Sequence, residues 1–332
     1  MTEPPRPRLA PPSRTIARAG IELSAVGLGC WAIGGPYVND KGLPCGYGKV
    51  EDEQSCRAVQ RALDLGINLF DTAPIYGCGH SERILGHALA SRRDEAFIAT
   101  KFSAPIDETN RIHLPGRRPV DDVPRACEES LRRLNTDRID LYQLHDGNCD
   151  LAEAEAIAGH FEKLVEAGKI RYFGWSTDDP DRARAFAAHR HCIAIQHRLN
   201  LLEGSREMLT VCEHHGLSSI NRTPLGKGLL TGKFNRTTRF ESDDVRQPWW
   251  DLVDGREAQQ LQRLNAVREL LVADGRSLAQ AALGYLWGLS DCTIPIPGFK
   301  STAQVEEHAQ AMAYGPLSVE IMQRITGLLD RK

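Results

Sequence analysis

Ile139-Asp-Leu-Tyr-Gln-Leu144 and Ile170-Arg-Tyr-Phe-Gly-Trp175 are short apolar segments rich in β-branched and aromatic residues. Between them, Ile157, Phe161, Leu164 and Val165 recur on one face at helical spacing, in a segment that stops at Gly168. Segments of this length suit buried strands, and glycine is the usual residue just past a helix end. The unit therefore reads strand, helix, strand. Such a unit predicts parallel pairing with a right-handed crossover.

The same alternation extends in both directions. Ala25–Leu28, 67–70, 96–99, 192–195, Leu217–Ile220 and Thr293–Ile296 bring the candidate strands to eight, each followed by a helical segment. Val123, Cys127, Leu131 and Leu134 mark one such helix face. Eight β/α units in about 290 residues favour a closed (β/α)8 TIM barrel over an open sheet. Ahead of them, Thr15-Ile-Ala-Arg and Ile21-Glu-Leu flank Ala19-Gly20. This predicts a short N-terminal β-hairpin able to plug the barrel floor. Residues 14–332 are expected to form one barrel domain. Residues 1–13, with Pro4, Pro5, Pro7, Pro11 and Pro12, read as a disordered or extended tail. Two long connections, 102–120 and 234–256, fall where barrel loops shape a substrate pocket.

Composition narrows the function. The 332 residues are 41% hydrophobic and 26% charged, with a formal net charge of -3. Such a balance argues against nucleic acid as a partner. No run of 18 apolar residues spans a membrane, and the N-terminus lacks the apolar core of a secretory signal. The nine cysteines are scattered with no CxxC pair, which suits neither a disulfide scaffold nor a zinc site. A reducing, cytoplasmic setting without a metal is the expectation.

Common catalytic signatures are missing. There is no HExxH helix, and His214 and His215 are adjacent, so they cannot face one metal from a helix. Gly27-x-Gly29 is followed by Gly34, which is not the spacing of a dinucleotide-binding turn. Lys227 stands where a phosphate-binding loop ending in Gly232-Lys233 needs its first glycine, and GxSxG is absent.

In a barrel the chemistry sits at the C-terminal ends of the strands. Asp71 ends the second strand and Tyr76 lies in its loop. Lys101 ends the third, His145 the fourth, Ser176-Thr177 the fifth, Gln196 the sixth, Arg222 the seventh and Gly298 the eighth. Each has an ordinary structural explanation alone, such as a helix cap or a solvated charge. Four titratable groups meeting at one mouth make a coherent site. A phenol near pKa 10 is a poor acid at neutral pH, and a neighbouring ammonium is expected to lower it. A carboxylate would hold that ammonium, and an imidazole would orient a bound carbonyl.

These residues resemble a known family. Asn68-Leu-Phe-Asp71-Thr-Ala-Pro-Ile-Tyr76-Gly77 with Ser81-Glu82, then Ala99-Thr-Lys101, then Asp140-Leu-Tyr-Gln-Leu-His145 are similar to the ordered motifs of the aldo-keto reductases. The resemblance runs from Gly27-Leu-Gly-Cys-Trp31 to about His308. It implies a (β/α)8 barrel that reduces aldehydes or ketones to alcohols, reversibly, with NADPH. Tyr76 would donate the proton, Asp71 and Lys101 would tune it, and His145 would position the carbonyl.

The resemblance also implies where the cofactor lies. Gly29, Cys30, Trp31 and Asp71 border it at the first two strands, and Gln196 holds the nicotinamide carboxamide. Ser176-Thr177 replaces the usual Ser-Asn. Arg222-Thr223-Pro224-Leu225-Gly226 replaces an aromatic-led segment, so a guanidinium stands where a ring stacks; one branch of the family carries the same Asn-Arg pair. Gly298, Lys300, Gln304, Glu307 and His308 match the adenosine-phosphate segment, with His308 where Asn is usual, and Lys233, just after the seventh strand, could approach from the neighbouring loop. The alternative is an NADPH-binding regulatory or redox-sensor protein on the same barrel, since such relatives keep the four catalytic residues. Trp31, Trp249 and Trp250 are candidate pocket residues, Trp249-Trp250 serving equally well as a loop anchor. Arg111, Arg117 and Arg118 could meet an anionic substrate or simply be solvated.

Overall fold

The structure, a computed structural model, describes residues 12–329. Residues 1–11 of the Pro-rich tail lie outside the described residues. The strands in chain order begin with the hairpin β1 (Ser13–Ile16) and β2 (Ile21–Ser24). Next come β3 (Leu28–Gly29), the loop strand β4 (Val38–Asn39), β5 (Leu69–Asp71) and β6 (Phe97–Phe102). The loop pair β7 (Ile106–Asp107) and β8 (Ile112–His113) precedes β9 (Ile139–Leu144) and β10 (Ile170–Ser176). The chain then forms β11 (Cys192–Asn200) with its short return β12 (Glu203–Gly204), β13 (Ser218–Arg222) and β14 (Thr293–Pro295).

Eight of these strands pair in parallel in the order β3-β5-β6-β9-β10-β11-β13-β14. A parallel bridge between Gly29 and Gly298 joins the two ends. Gly27 and Gly29 also donate to the carbonyls of Pro295 and Pro297 at 2.9 and 3.0 Å. The nearly closed barrel expected from eight β/α units is therefore what forms.

Strand limits shift from the sequence reading for local reasons. The first strand starts at Leu28 rather than Ala25, because the Ala25 amide still pairs with Pro12 beside the hairpin. Ile67 stays outside β5 because its amide caps the preceding helix at the Ala62 carbonyl. β6, β11 and β13 run beyond their apolar stretches into polar residues that end at the barrel mouth.

Alternation along the strands builds the interior. Leu69, Phe97, Ala99, Leu141, Ala194, Ile220, Ile294 and Ile296 form one buried inner cluster. Two residues further on, the same faces carry Asp71, Lys101, Gln143, Gln196, Arg222 and Gly298. The apolar floor thus passes into a polar mouth within one step of each strand. The hairpin closes the bottom, since Ile16 and Leu23 pack into the inner cluster. At its turn Arg18 donates to the carbonyls of Ala187, His189, Cys192 and His215 at 2.7–3.1 Å.

Helices cover the outside. Val123, Cys127, Leu131 and Leu134 are buried on Val123–Leu134, as their spacing predicts. Leu151–Glu166 buries Ile157, Phe161 and Leu164, while Val165 is only half-buried. Gly168 follows with φ +69°. Within the 102–120 connection, β7 pairs with β8, and β8 pairs with β4 of the first loop. Segment 234–256 contains no regular helix or strand before Arg256, where the helix Arg256–Leu271 begins. None of the described helices is long and apolar enough to cross a membrane. The nine cysteines are free thiols.

Candidate active site

The mouth opens into a cleft of about 1130 Å³. Asp71 lies at its base. Lys101 Nζ donates to Asp71 Oδ1 and to the Thr72 carbonyl, both at 2.7 Å. Asp71 Oδ2 accepts from Gln196 Nε2 at 2.7 Å and from Gln143 Nε2 at 3.0 Å. All four side chains are buried. A buried carboxylate and ammonium tolerate loss of water only when paired and hydrogen-bonded, and here the carboxylate has three side-chain donors.

Tyr76 stands above this pair, with Lys101 Nζ 5.1 Å from its ring centroid. His145 meets Tyr76 edge-on, their ring centroids 6.1 Å apart. His145 Nδ1 lies 2.9 Å from Ser103 Oγ. Trp31 stacks against Tyr76 at 5.8 Å, and Tyr47 meets Trp31 edge-on at 4.9 Å. Trp31 Nε1 donates to Tyr37 Oη and the Cys45 carbonyl. The rings thus form one aromatic wall beside the phenol.

Electrostatics here depart from the sequence expectation. Burial pushes the Tyr76 phenol well above its ordinary value; Asp71 adds to that rise, and Arg222 opposes it. Asp71 holds the Lys101 ammonium as expected, and the phenol is raised all the same because burial, with Asp71, dominates. Burial also lowers Lys101, against the pull of Asp71. His145 is held well below the usual histidine range by burial, then by Lys101 and Arg222. The site therefore presents a protonated phenol and a neutral imidazole.

Most of the expected cofactor residues share this cleft. Gly29, Trp31, Asp71, Ser176, Gln196, Arg222, Thr223, Pro224, Leu225, Gly226, Lys233, Gly298, Lys300, Gln304, Glu307 and His308 all line it. Cys30 and Thr177 do not. Cys30 is buried and acts through its backbone: its amide donates to the Asp71 carbonyl, and its carbonyl accepts from Ser81 Oγ. The Thr177 hydroxyl donates to the Gly147 carbonyl at 2.8 Å and accepts from the Asp179 amide, so it stabilises a turn. Arg222 forms an ion pair with Asp178. Lys300 Nζ donates to the carbonyls of Tyr47 and Lys49, bridging to the first loop. His308 Nε2 lies 3.2 Å from the Gly298 carbonyl. His308 Nδ1 and Thr223 Oγ1 are buried with no hydrogen-bond partner among the described residues.

Loops roof the cleft. The Val245 amide donates to the Gly46 carbonyl, and Tyr47 bridges Asp244. Arg246 pairs with Asp244 and lies within 6 Å of the ring centroids of Tyr47, Phe234, Phe240 and Trp250. Trp250 thus lines the cleft, whereas Trp249 is 66% exposed. Arg117 pairs with Asp146 and Glu153, and Arg118 with Asp122 and Glu129. Neither they nor Arg111 line the cleft. Ser103 and Gln143 escaped the sequence reading although strand parity marks both. They are two residues beyond Lys101 and two before His145, on the same inward faces.

Comparison with known proteins agrees with this architecture. The family model Aldo/keto reductase family matches residues 25–330. The aldo-keto reductase YhdN of Bacillus subtilis is 34% identical over 95% of this chain and 93% of its own length. A glycerol dehydrogenase, AKR11B4, from Gluconobacter oxydans superposes with a TM-score of 0.79 at 32% identity, covering 96% of this chain and 95% of that one. An aldo-keto reductase from Klebsiella pneumoniae in complex with NADPH superposes with a TM-score of 0.67 at 25% identity, covering 95% and 94%. With its barrel, its buried Asp71–Lys101 pair beneath Tyr76 and a family match over nearly its whole length, this chain belongs to the aldo/keto reductase family of oxidoreductases.

Proposed function

We propose that this protein uses NADPH to reduce an aldehyde or ketone to the alcohol, with Tyr76 delivering the proton. The observation that carries the reading is the buried Asp71–Lys101 pair directly beneath Tyr76, with His145 set edge-on across the same opening. A carbonyl oxygen between Tyr76 and His145 meets two neutral donors, and reduction makes that oxygen an alkoxide. An alkoxide is a stronger base than a phenolate, so proton transfer from Tyr76 is downhill even though burial raises its pKa. Arg222 and Lys101 then stabilise the phenolate left behind.

The residues of the cleft fit a phosphorylated dinucleotide. Thr223 Oγ1 and His308 Nδ1 are buried polar atoms with no hydrogen-bond partner among the described residues, and such atoms call for a ligand or water. Lys233 and Lys300 add positive charge to the same cleft. When bound, NADPH supplies the hydride. Gln196 would hold the carboxamide, and Arg222 would lie along the nicotinamide while keeping its Asp178 partner. The aldo-keto reductase yakc of Schizosaccharomyces pombe, 29% identical over 318 residues, is named with NADP(+), and the Klebsiella pneumoniae structure contains NADPH. Both support that choice.

NADPH consumption over a panel of aldehydes, ketones, sugars and keto acids tests the reading. Multiple turnovers with at least one carbonyl are expected. Tyr76→Phe should lower turnover by roughly 10²–10⁴-fold while NADPH still binds. A single slow turnover with every substrate would favour a redox sensor, and wild-type turnover in the Phe variant would remove Tyr76 as donor.

A further inference from the structure

We propose that Ser103 is a positioning residue that donates a hydrogen bond to His145 Nδ1 and so holds the imidazole in the tautomer with its proton on Nε2. This rests on the reading of His145 as the residue that orients the carbonyl. Ser103 follows β6 immediately and is 8% exposed, with its Oγ 2.9 Å from His145 Nδ1. The His145 backbone is fixed independently, its amide donating to the Phe102 carbonyl at 2.9 Å. Two consecutive residues of the neighbouring strand end thus hold His145, Phe102 at its backbone amide and Ser103 at ring Nδ1.

The direction of the Ser103 bond follows from counting donors and acceptors. Neutral imidazole carries one N–H and one bare nitrogen. If Nδ1 carried the proton, it would donate to Ser103 Oγ, and the serine proton would need a second acceptor. His145 Nδ1 is the single partner found for Ser103 Oγ among the described residues. The reverse arrangement satisfies both groups: the serine O–H donates to bare Nδ1, and Nε2–H is left to face the cleft. That Nε2–H is the donor a carbonyl oxygen requires. The other tautomer would set a lone pair against the carbonyl oxygen and repel it. Protonation of both nitrogens is disfavoured by burial and by the Lys101 and Arg222 charges. The hydroxyl of Ser103 therefore selects between two neutral forms.

The test is long-range ¹H–¹⁵N NMR of the ¹⁵N-histidine-labelled full chain with NADP⁺ bound, the His145 signals being assigned by their loss in His145→Gln. The wild type should show Nε2 protonated and Nδ1 bare. Ser103→Ala should shift the His145 signals toward a mixture of tautomers and lower kcat/KM for the carbonyl about 10-fold, the effect of one oriented hydrogen bond. NADPH affinity, measured by fluorescence titration, should stay within 2-fold. Ser103→Thr keeps the hydroxyl and should restore both the signals and most of the rate. A wild-type signal with Nδ1 protonated would overturn the proposal without any variant. So would equal losses in the Ala and Thr variants, which would mark a purely steric role. Absence of carbonyl turnover in the wild type would count against the reductase reading alone, because the tautomer is read without turnover.

Discussion

The Gly34 carbonyl oxygen lies 1.9 Å from the place a Cβ on Gly77 would occupy. Gly77 also has φ +61°, a backbone region side chains rarely enter. The loop after β3 and the loop after β5 therefore touch backbone to backbone, one residue from Tyr76. A Cβ on Gly34 would in turn meet the Tyr76 carbonyl carbon at 2.8 Å. This contact sets the phenol at a fixed depth above Lys101 and against Trp31.

Gly77→Ala must push the two loops apart, and Tyr76 moves with them. A displacement of about 1 Å at a reacting group can cost near 100-fold. The expected result is a kcat reduced about 10- to 100-fold, with NADPH binding changed far less. Steady-state kinetics with a cofactor titration checks it. Wild-type kcat would show that the loops relax without moving the phenol.

On the proposed mechanism, the pH dependence of reduction follows from three buried groups. His145 must be neutral, and burial with the Lys101 and Arg222 charges holds its pKa well below the usual range. Tyr76 must keep its proton, and burial followed by Asp71 raises its pKa well above the ordinary value. Lys101 must be charged to stabilise the phenolate, and burial lowers its pKa. The charged ammonium exists below its folded pKa and is lost as pH rises through it. The rate should therefore hold on acidification through the ordinary histidine range and fall on the alkaline side through Lys101 before Tyr76 titrates. A kcat profile under cofactor saturation checks this. A loss of rate on acidification near the ordinary histidine pKa would show that His145 is protonated in the folded site.

The barrel and its four catalytic candidates were legible because both depend on short-range pattern. Apolar runs of strand length and one polar residue at each strand end carry that information, and parity along β6 and β9 would also have located Ser103 and Gln143. The roof was not legible. Arg246 finds Tyr47, Phe234, Phe240 and Trp250 through irregular loops whose pairing, Val245 to Gly46, spans some 200 residues of sequence. The tuning of Tyr76 was misjudged for a similar reason. A list of charges does not tell how deeply the phenol is buried, and burial is the largest influence on it.

Arg18 should matter for stability and not for chemistry. It bonds four backbone carbonyls from three different segments at the barrel floor, the end opposite the catalytic mouth. Arg18→Ala leaves those carbonyls to water or to nothing, at a cost of about 1–3 kcal/mol. Thermal or urea unfolding should show that loss, while kcat and NADPH affinity at 25 °C stay near wild type. Loss of activity without loss of stability would mean the floor communicates with the mouth.

Lys300 separates cofactor recognition from loop closure. Its ammonium donates to the carbonyls of Tyr47 at 2.6 Å and Lys49 at 3.0 Å, so it ties the segment after β14 to the first loop. Burial lowers its pKa, opposed by Asp244. A 2′-phosphate carries close to two negative charges, so it adds ion–ion attraction that a neutral carbonyl lacks to a bond the ammonium already makes charge-assisted. Exchange of the two carbonyls for phosphate is thus favourable, and it would loosen the first loop as NADPH is seated. NADH has no such phosphate and leaves the tie intact. Lys300→Ala should weaken NADPH about 10-fold or more and NADH by less than about 2-fold. Fluorescence titration of both cofactors against wild type and variant measures the difference. An equal loss for NADPH and NADH would assign Lys300 to holding the loop alone.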